Sequence, residues 1–268
     1  MFTTLSKTAT AAAFLAFAAT GANAAPCGNS AGGFNAWKAA FANEAKAAGV
    51  GQRGLQALAN TQYATKTIQA DRNQKSFRYS LEKFMEIRGA NTIIAQGRKR
   101  KAQNANFFNA IERQYGVPAG VLIAIHGMET GFGRFMGDSN VVSAITTLAY
   151  DCRRSDFFTP HALAALQMVD RGHISPNVLG ARHGELGHTQ FLPGNALRYG
   201  VDGDGNGRVD LTNYTDAMVS TANFLRQKGW KPGAPYQEGQ PNFRVIQAWN
   251  AAGVYQKAIA IMAAKIDG

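Results

Sequence analysis

Apolar residues in this chain recur at three- and four-residue steps, and alternation at every second residue is scarce. That pattern points to helices packed on helices rather than to sheets. Phe34, Trp37, Phe41 and Ala45 form one stripe, which Gly49 ends. A long polar helix is expected over residues 91–113, stopping at Gly116, with Phe107, Phe108 and Ile111 buried. Pro118 suits a helix first turn, and Val121, Leu122, Ile125 and Met128 then make an apolar face. Further helices are expected over 161–171, 214–228 and 243–266, the last with a break at Gly253. Glycine- and proline-rich connections cluster at 131–137, 175–193 and 201–207. The expected fold class is mainly α.

Residues 1–24 read as a secretory signal rather than as part of the fold. Lys7 supplies the positive start, residues 9–19 are an apolar stretch, and Ala22-Asn23-Ala24 fits an A-x-A cleavage site. The stretch is too short to span a bilayer. Cys27 follows Pro26, a poor fit to a lipid-attachment box, so residues 25–268 are expected to form one exported domain in the periplasm. Cys27 and Cys152 are the two cysteines, and an oxidising compartment favours a disulfide between them; two unpaired thiols are the alternative.

The formal net charge is +11, which suggests an anionic partner. Export argues against nucleic acid, leaving cell-wall glycan with carboxylate-bearing peptides, or a membrane surface. The run Arg98-Lys99-Arg100-Lys101 points around a helix rather than along one face, so it reads as a solvated segment.

Glu129 lies one turn beyond Ile125 and two beyond Leu122, where the apolar helix runs into Gly131-Phe132-Gly133. Partial desolvation there raises a carboxyl pKa, as a general acid for glycosidic cleavage requires. A Glu paired with Arg134 or Arg153 is the alternative. His126 shares its face, but no H-E-x-x-H motif accompanies it, so packing against or tuning Glu129 is a better reading than zinc binding. The Gly131-x-Gly133 segment follows a helix and has Met136 at the third glycine position, which excludes a dinucleotide loop and leaves no organic cofactor implied.

The segment from Asp202 to Asp210 places Asp202, Asp204, Asn206 and Asp210 at positions 1, 3, 5 and 9 of an EF-hand-like loop, with Gly207 at 6 and Arg208 at 7 for a backbone ligand. Asn213 stands where the bidentate Glu would be. A structural calcium site rather than a sensor is expected; an empty Asp-Gly turn is the alternative.

Together these segments resemble the lytic murein transglycosylases of the membrane-bound type B class, from about Phe34 onward. The most specific stretch runs from Gly116-Val117-Pro118 to His126-Gly127-Met128-Glu129-Thr130-Gly131-Phe132-Gly133, similar to that family's Y-G-V-P and G-V-E-T-x-x-G segments. Further matches are Asp71-Arg72-Asn73-Gln74, Thr147-Leu148-Ala149-Tyr150 with Arg153-Arg154 and Phe157-Phe158, Gly187-His188-Thr189-Gln190-Phe191-Leu192-Pro193, Ala222-Asn223-Phe224 and Gly229-Trp230.

The resemblance implies a lysozyme-like helical domain with a glycan groove and a metal loop. It implies cleavage of the β-1,4 bond between N-acetylmuramic acid and N-acetylglucosamine, with 1,6-anhydro ends and Glu129 as acid and then base. Gln190, Asn250 and Tyr255 match groove positions. Ala181, Phe224 and Trp249 replace hydroxyl-bearing residues of the family, and Glu185 adds an unexpected carboxyl beside the active site. Two other readings stay open: a muramidase in which Glu185 activates water, and a non-catalytic peptidoglycan-binding protein. A monomer is expected, with a cell-envelope protein complex as a candidate partner for targeting.

Overall fold

The computed structural model describes residues 25–73 and 79–268. The expected signal segment and Gln74 lie outside these residues. Thirteen α-helices and one two-stranded sheet are present among those described, so the fold is mainly helical.

The centre of the molecule is α7 (Ala119–Thr130). The sequence suggested an apolar face, but the structure buries this helix all round: of its residues, only Glu129 is not fully buried. A helix without a polar face belongs in the core, and α7 packs between α5 (Ala90–Gln103) and α13 (Gly253–Asp267). Small residues let the helices close up. A Cβ on Gly120 would lie 2.4 Å from the Ala263 carbonyl oxygen, and one on Gly127 would lie 2.6 Å from the Ile93 side chain.

A second group surrounds α8 (Val141–Tyr150) and α9 (Ser155–Asp170). It includes α1 (Phe34–Ala47), whose Phe34, Trp37, Phe41 and Ala45 are all buried as expected, together with α2 (Gln52–Asn60), α3 (Thr65–Arg72) and α10 (Pro193–Tyr199). The rings of Trp37 and Phe41 stack 4.5 Å apart. Around α7 lie α4 (Leu81–Ile87), α6 (Ala105–Tyr115), α11 (Tyr214–Gln227) and α12 (Phe243–Trp249). Strands β1 (Ser139–Asn140) and β2 (Leu179–Gly180) pair antiparallel, Ser139 opposite Gly180.

Several boundaries differ from the sequence reading. The helix expected over 91–113 is two helices, broken where Asn104 leaves helical geometry and its side chain takes the Arg100 carbonyl at 3.0 Å. The break leaves Phe107 only partly buried, against the Tyr214 ring. The helix expected from 161 begins at Ser155 and contains Pro160. The break in the last helical segment falls at 250–252, and Gly253 opens α13 instead of interrupting a helix. In the basic run, Arg98 donates to the Lys265 carbonyl, Lys101 pairs with Asp267 at 2.9 Å, and Arg100 lies 4.4 Å over the Phe132 ring. These are separate local contacts, not a binding stripe.

Cys27 and Cys152 form a disulfide, closing a loop with a sequence separation of 125. Backbone bonds flank it: Gly28 N–H donates to the Tyr150 carbonyl and Cys152 N–H to the Gly28 carbonyl. Cross-linking a loop this long restricts the unfolded chain strongly. Replacing both cysteines by serine is expected to cost about 2 kcal/mol, the low end of the usual range because the flanking backbone bonds survive. Urea unfolding measures it; a loss below about 0.5 kcal/mol would contradict this role.

Candidate active site

A cleft of roughly 710 Å³ lies where the two helix groups meet. Its lining includes Glu129 from the end of α7, Glu185 and Gln190 from the 181–192 connection, Phe224 from α11, and Trp249 and Asn250 from α12 and its end. The sequence had nominated all six. Tyr255, from the first turn of α13, reaches the same place from behind.

Glu129 is positioned by the end of α7. Gly131, Phe132 and Gly133 all have positive φ, 57°, 67° and 80°. The left-handed region is costly for Phe132 and marks a segment held by its surroundings. Thr130 fastens it: its hydroxyl donates to the His188 carbonyl at 2.7 Å and accepts from Gly133 N–H. The alternative pairing of Glu129 with Arg134 or Arg153 does not occur. Arg134 bonds the Gly131 carbonyl and Arg153 bonds Asp71.

Instead, Glu129 Oε1 accepts from the Tyr255 hydroxyl at 2.5 Å and from Trp249 Nε1 at 3.2 Å. Burial pushes its carboxyl above the ordinary range, against both hydrogen bonds and the Arg88 charge, which favour the ionised form. Tyr255 is fully enclosed; burial and the Glu129 charge hold its phenol well above the usual value, so it remains a donor. Trp249 is fixed edge-on against Phe191 and Phe224, with ring centroids 5.2 Å from each. Both donors fall on Oε1, which leaves Oε2 as the oxygen for a ligand's proton.

Glu185 enters the same cleft. Burial pushes its carboxyl to about 7; the Glu129 charge adds to this, while backbone N–H groups of Glu185 and His183 and the Arg154 charge oppose it. Gln190 has φ 55°, and its side chain donates to the Gly187 and Met136 carbonyls at 2.8 and 3.2 Å, closing the turn beside the cleft. Asn250 accepts from Ala252 N–H and ends α12.

Arg88, Arg154, His183 and Phe157 also line the cleft; Arg154 and Phe157 are motif matches in the sequence, without a role in the site. Phe157 is 52% exposed at its rim, offering an apolar face of the kind that packs on sugar rings. His126, on α7, is buried beside His188. Burial, with the His188 and Arg100 charges, lowers it to about 3, and its Nε2 lies 3.0 Å from His188 Nδ1.

The segment from Asp202 to Asp210, expected to hold calcium, brings two of its carboxylates together with a third from outside it. Carboxylate oxygens of Asp202, Asp204 and Asp216 lie within 4.8 Å of one another. Asp216, fifteenth from the loop's start, was missed; it is buried and accepts from the N–H groups of Gly203, Asp204 and Asp210. Asp210 turns away, to Thr212 and Arg208, and Asn206 donates to Asp204. Asn213 caps α11 by accepting from Thr215 N–H at 2.8 Å. The signal for Asp216 was an acid in the first turn of the next helix. No helix among the described residues is long and apolar enough to cross a membrane.

Comparison with known proteins adds to this geometry. The family model described as Transglycosylase SLT domain matches residues 33–240. Membrane-bound lytic murein transglycosylase B of Escherichia coli (strain K12) is 33% identical over 133 residues, 49% of this chain and 37% of that protein. The match thus spans little more than a third of that curated relative. SltB3 from Pseudomonas aeruginosa, solved in complex with NAG-NAM-pentapeptide, superposes with a TM-score of 0.80 at 28% identity, over 88% of this chain and 80% of that one. The Escherichia coli lytic transglycosylase Slt35, solved with calcium, gives a TM-score of 0.74 at 21% identity, over 91% of this chain and 96% of that one, a likeness of fold alone. The match across most of the chain and the shared mainly helical, lysozyme-like architecture place this protein in the transglycosylase SLT domain family.

Proposed function

We propose that the protein is a lytic transglycosylase that cleaves the β-1,4 bond between N-acetylmuramic acid and N-acetylglucosamine in peptidoglycan, leaving 1,6-anhydro ends. The observation that carries this reading is the Glu129 carboxyl at the floor of the cleft, raised in pKa by burial and oriented through Oε1 by Tyr255 and Trp249. Protonated, it gives its proton to the leaving glycosidic oxygen. As carboxylate, it takes the proton of the muramyl 6-hydroxyl that attacks the anomeric carbon. The substrate's N-acetyl group assists at that carbon, so no second carboxylate is required. Phe157, Phe224 and Trp249 supply apolar walls, while Arg88 and Arg154 add positive charge suited to acidic peptide stems. The two SltB3 complexes, with NAG-NAM-pentapeptide and NAG-anhNAM-pentapeptide, support the substrate class.

Residues 25–268 act as one catalytic unit in this reading, a periplasmic monomer brought to the wall by a cell-envelope complex. Mass spectrometry of digested sacculi tests it: anhydro products are lighter than hydrolysed ones by one water. Exclusively reducing ends would overturn the reading in favour of water activated by Glu185. Sacculus binding without any released muropeptide would leave a wall-binding protein.

The loop reading is that Asp202, Asp204 and Asp216 hold a calcium ion. Three hard carboxylate oxygens drawn together suit such a cation, whose charge would offset their repulsion. Its role is structural, fixing the 202–216 loop to the start of α11. Saturating calcium is expected to raise Tm by about 5 °C, and Asp204→Ala to remove that rise. An equal rise in both proteins would count against the site.

A further inference from the structure

Tyr255 and Trp249 orient the Glu129 carboxyl through Oε1. The backbone beneath it needs its own anchor, because the last turn of a helix is where the intrahelical ladder runs out. Glu129 lies in that turn of α7. One residue outside the helix grips the turn twice. His188 Nδ1 lies 3.0 Å from His126 Nε2, and the His188 carbonyl accepts from the Thr130 hydroxyl at 2.7 Å. Residues four apart stand one above the other on a helix face, so His126 and Thr130 present one side of the turn to His188.

His188 is itself tied down. Its N–H donates to the Leu211 carbonyl at 2.9 Å. Its ring fills the space over Gly133, where a Cβ would come within 2.4 Å of Cε1. The Tyr214 ring, on α11, lies 5.4 Å from the His126 imidazole and 5.8 Å from that of His188. Phe132 meets His126 edge-on at 5.5 Å. Two residues beyond His188 is Gln190, which lines the cleft. A bond between two imidazoles needs an N–H on one ring and a lone pair on the other. Burial holds both rings below the ordinary histidine range, so the lone pair is kept near pH 7.

We propose that the His126–His188 bond positions Glu129, by holding the last turn of α7 against the turn that carries Gln190. This rests on the lytic transglycosylase reading and says what keeps its acid in register with the cleft wall. Neither imidazole lines the cleft; both are positioning residues that act through Glu129. A misplacement of about 1 Å at a reacting group can cost roughly 10² in rate, so loss of the bond is read in kcat.

His126→Leu and His188→Leu are each expected to lower kcat for muropeptide release about tenfold, at a temperature where both are folded and with KM little changed. The double variant should lose little more than either single one, because the same bond is removed in each. The contacting atoms are Nε2 of residue 126 and Nδ1 of residue 188, positions that the amides of Gln and Asn can occupy. His126→Gln combined with His188→Asn should therefore recover most of the wild-type kcat with no imidazole left in the pair. A packing role would favour leucine over the amides, and a proton-transfer role would be lost with them. A readout without turnover accompanies these. In 15N NMR of histidine-labelled protein, the bond should appear as a slowly exchanging imidazole N–H that vanishes in either leucine variant.

Additive kcat losses from the two leucine variants, losses carried by KM, or an amide pair no better than the leucine pair would overturn the positioning role. Should leucine at either site prevent folding, His188→Gln replaces it: its amide sits one methylene too far out, so it should lose kcat where His188→Asn keeps it. If wild type yields no anhydro product, the functional reading fails and the positioning role with it, while the NMR signal still tells whether the bond exists.

Discussion

Glu129→Gln is expected to lower muropeptide release by about 10³-fold or more while the protein stays folded. In the proposed mechanism one side chain supplies both proton transfers, and general acid–base catalysis contributes roughly 10² to 10⁴ per group. The amide cannot give up a proton at the pH of the reaction, yet it fits the same space. Its oxygen can still accept from Tyr255 and Trp249, which now converge on Oε1. KM for soluble glycan fragments should change little, because the aromatic walls and the two arginines remain. A variant retaining more than a tenth of wild-type turnover would show that another group does the acid's work.

The same substitution has a thermal signature. The folded-state pKa of Glu129 lies above the ordinary value, chiefly through burial. Such a carboxyl prefers its neutral form in the folded state, so its ionisation costs stability as pH rises above the unfolded value. The cost grows through the interval up to the folded pKa and is then constant. Glu129→Gln removes it. The variant should melt like wild type near pH 4 and higher than wild type at pH 7. A lower Tm at pH 7 would contradict the burial argument.

What the sequence showed and hid has a physical pattern. Glu129 was legible because its spacing from Leu122 and Ile125 and the glycines after it are local features. Its partners were not, since Tyr255 and Trp249 lie 126 and 120 residues away and meet it only through packing of α13 on α7 and of α12 on α13. Tyr255 and Trp249 could be named by resemblance, but not their convergence on one oxygen. Burial of α7 on all sides was written in its composition, yet an amphipathic template reported one face only. The loop expected to bind calcium misled in the opposite way. A twelve-residue frame closed on Asn213, which caps α11, and so it passed over Asp216, whose carboxylate gathers with those of Asp202 and Asp204. Glu185 was visible as a departure from the family's pattern. Its unpaired Oε2 was not, because only the folded turn determines which atoms face it.

The Asp71 substitution tests a part of the frame that spacing could not reveal. Asp71 lies on the last turn of α3 with its side chain 2% exposed, and it binds the guanidinium groups of Arg153 and Arg154, with His183 Nε2 3.9 Å away. Beside it Arg72 pairs with Asp151 at 2.5 Å, and Asp151 also accepts from Arg153 N–H. These crossed pairs join α3 to the turn that carries Cys152 and the start of α9. Asp71→Asn keeps the shape but leaves two cations facing a neutral amide. Breaking a buried pair costs roughly 3–5 kcal/mol; both arginines retain contact with water, 44% and 35% exposed, so the low end applies. A loss of about 3 kcal/mol in urea unfolding is expected, with the m value unchanged. Activity should fall as well, because Arg154 and His183 line the cleft and lose their common anchor. The cysteine substitutions offer a contrast: they weaken the fold without touching a cleft residue, so activity at low temperature should persist. A variant that keeps wild-type stability while Arg154→Met is damaging would mean that Asp71 is not what holds the arginine at the cleft.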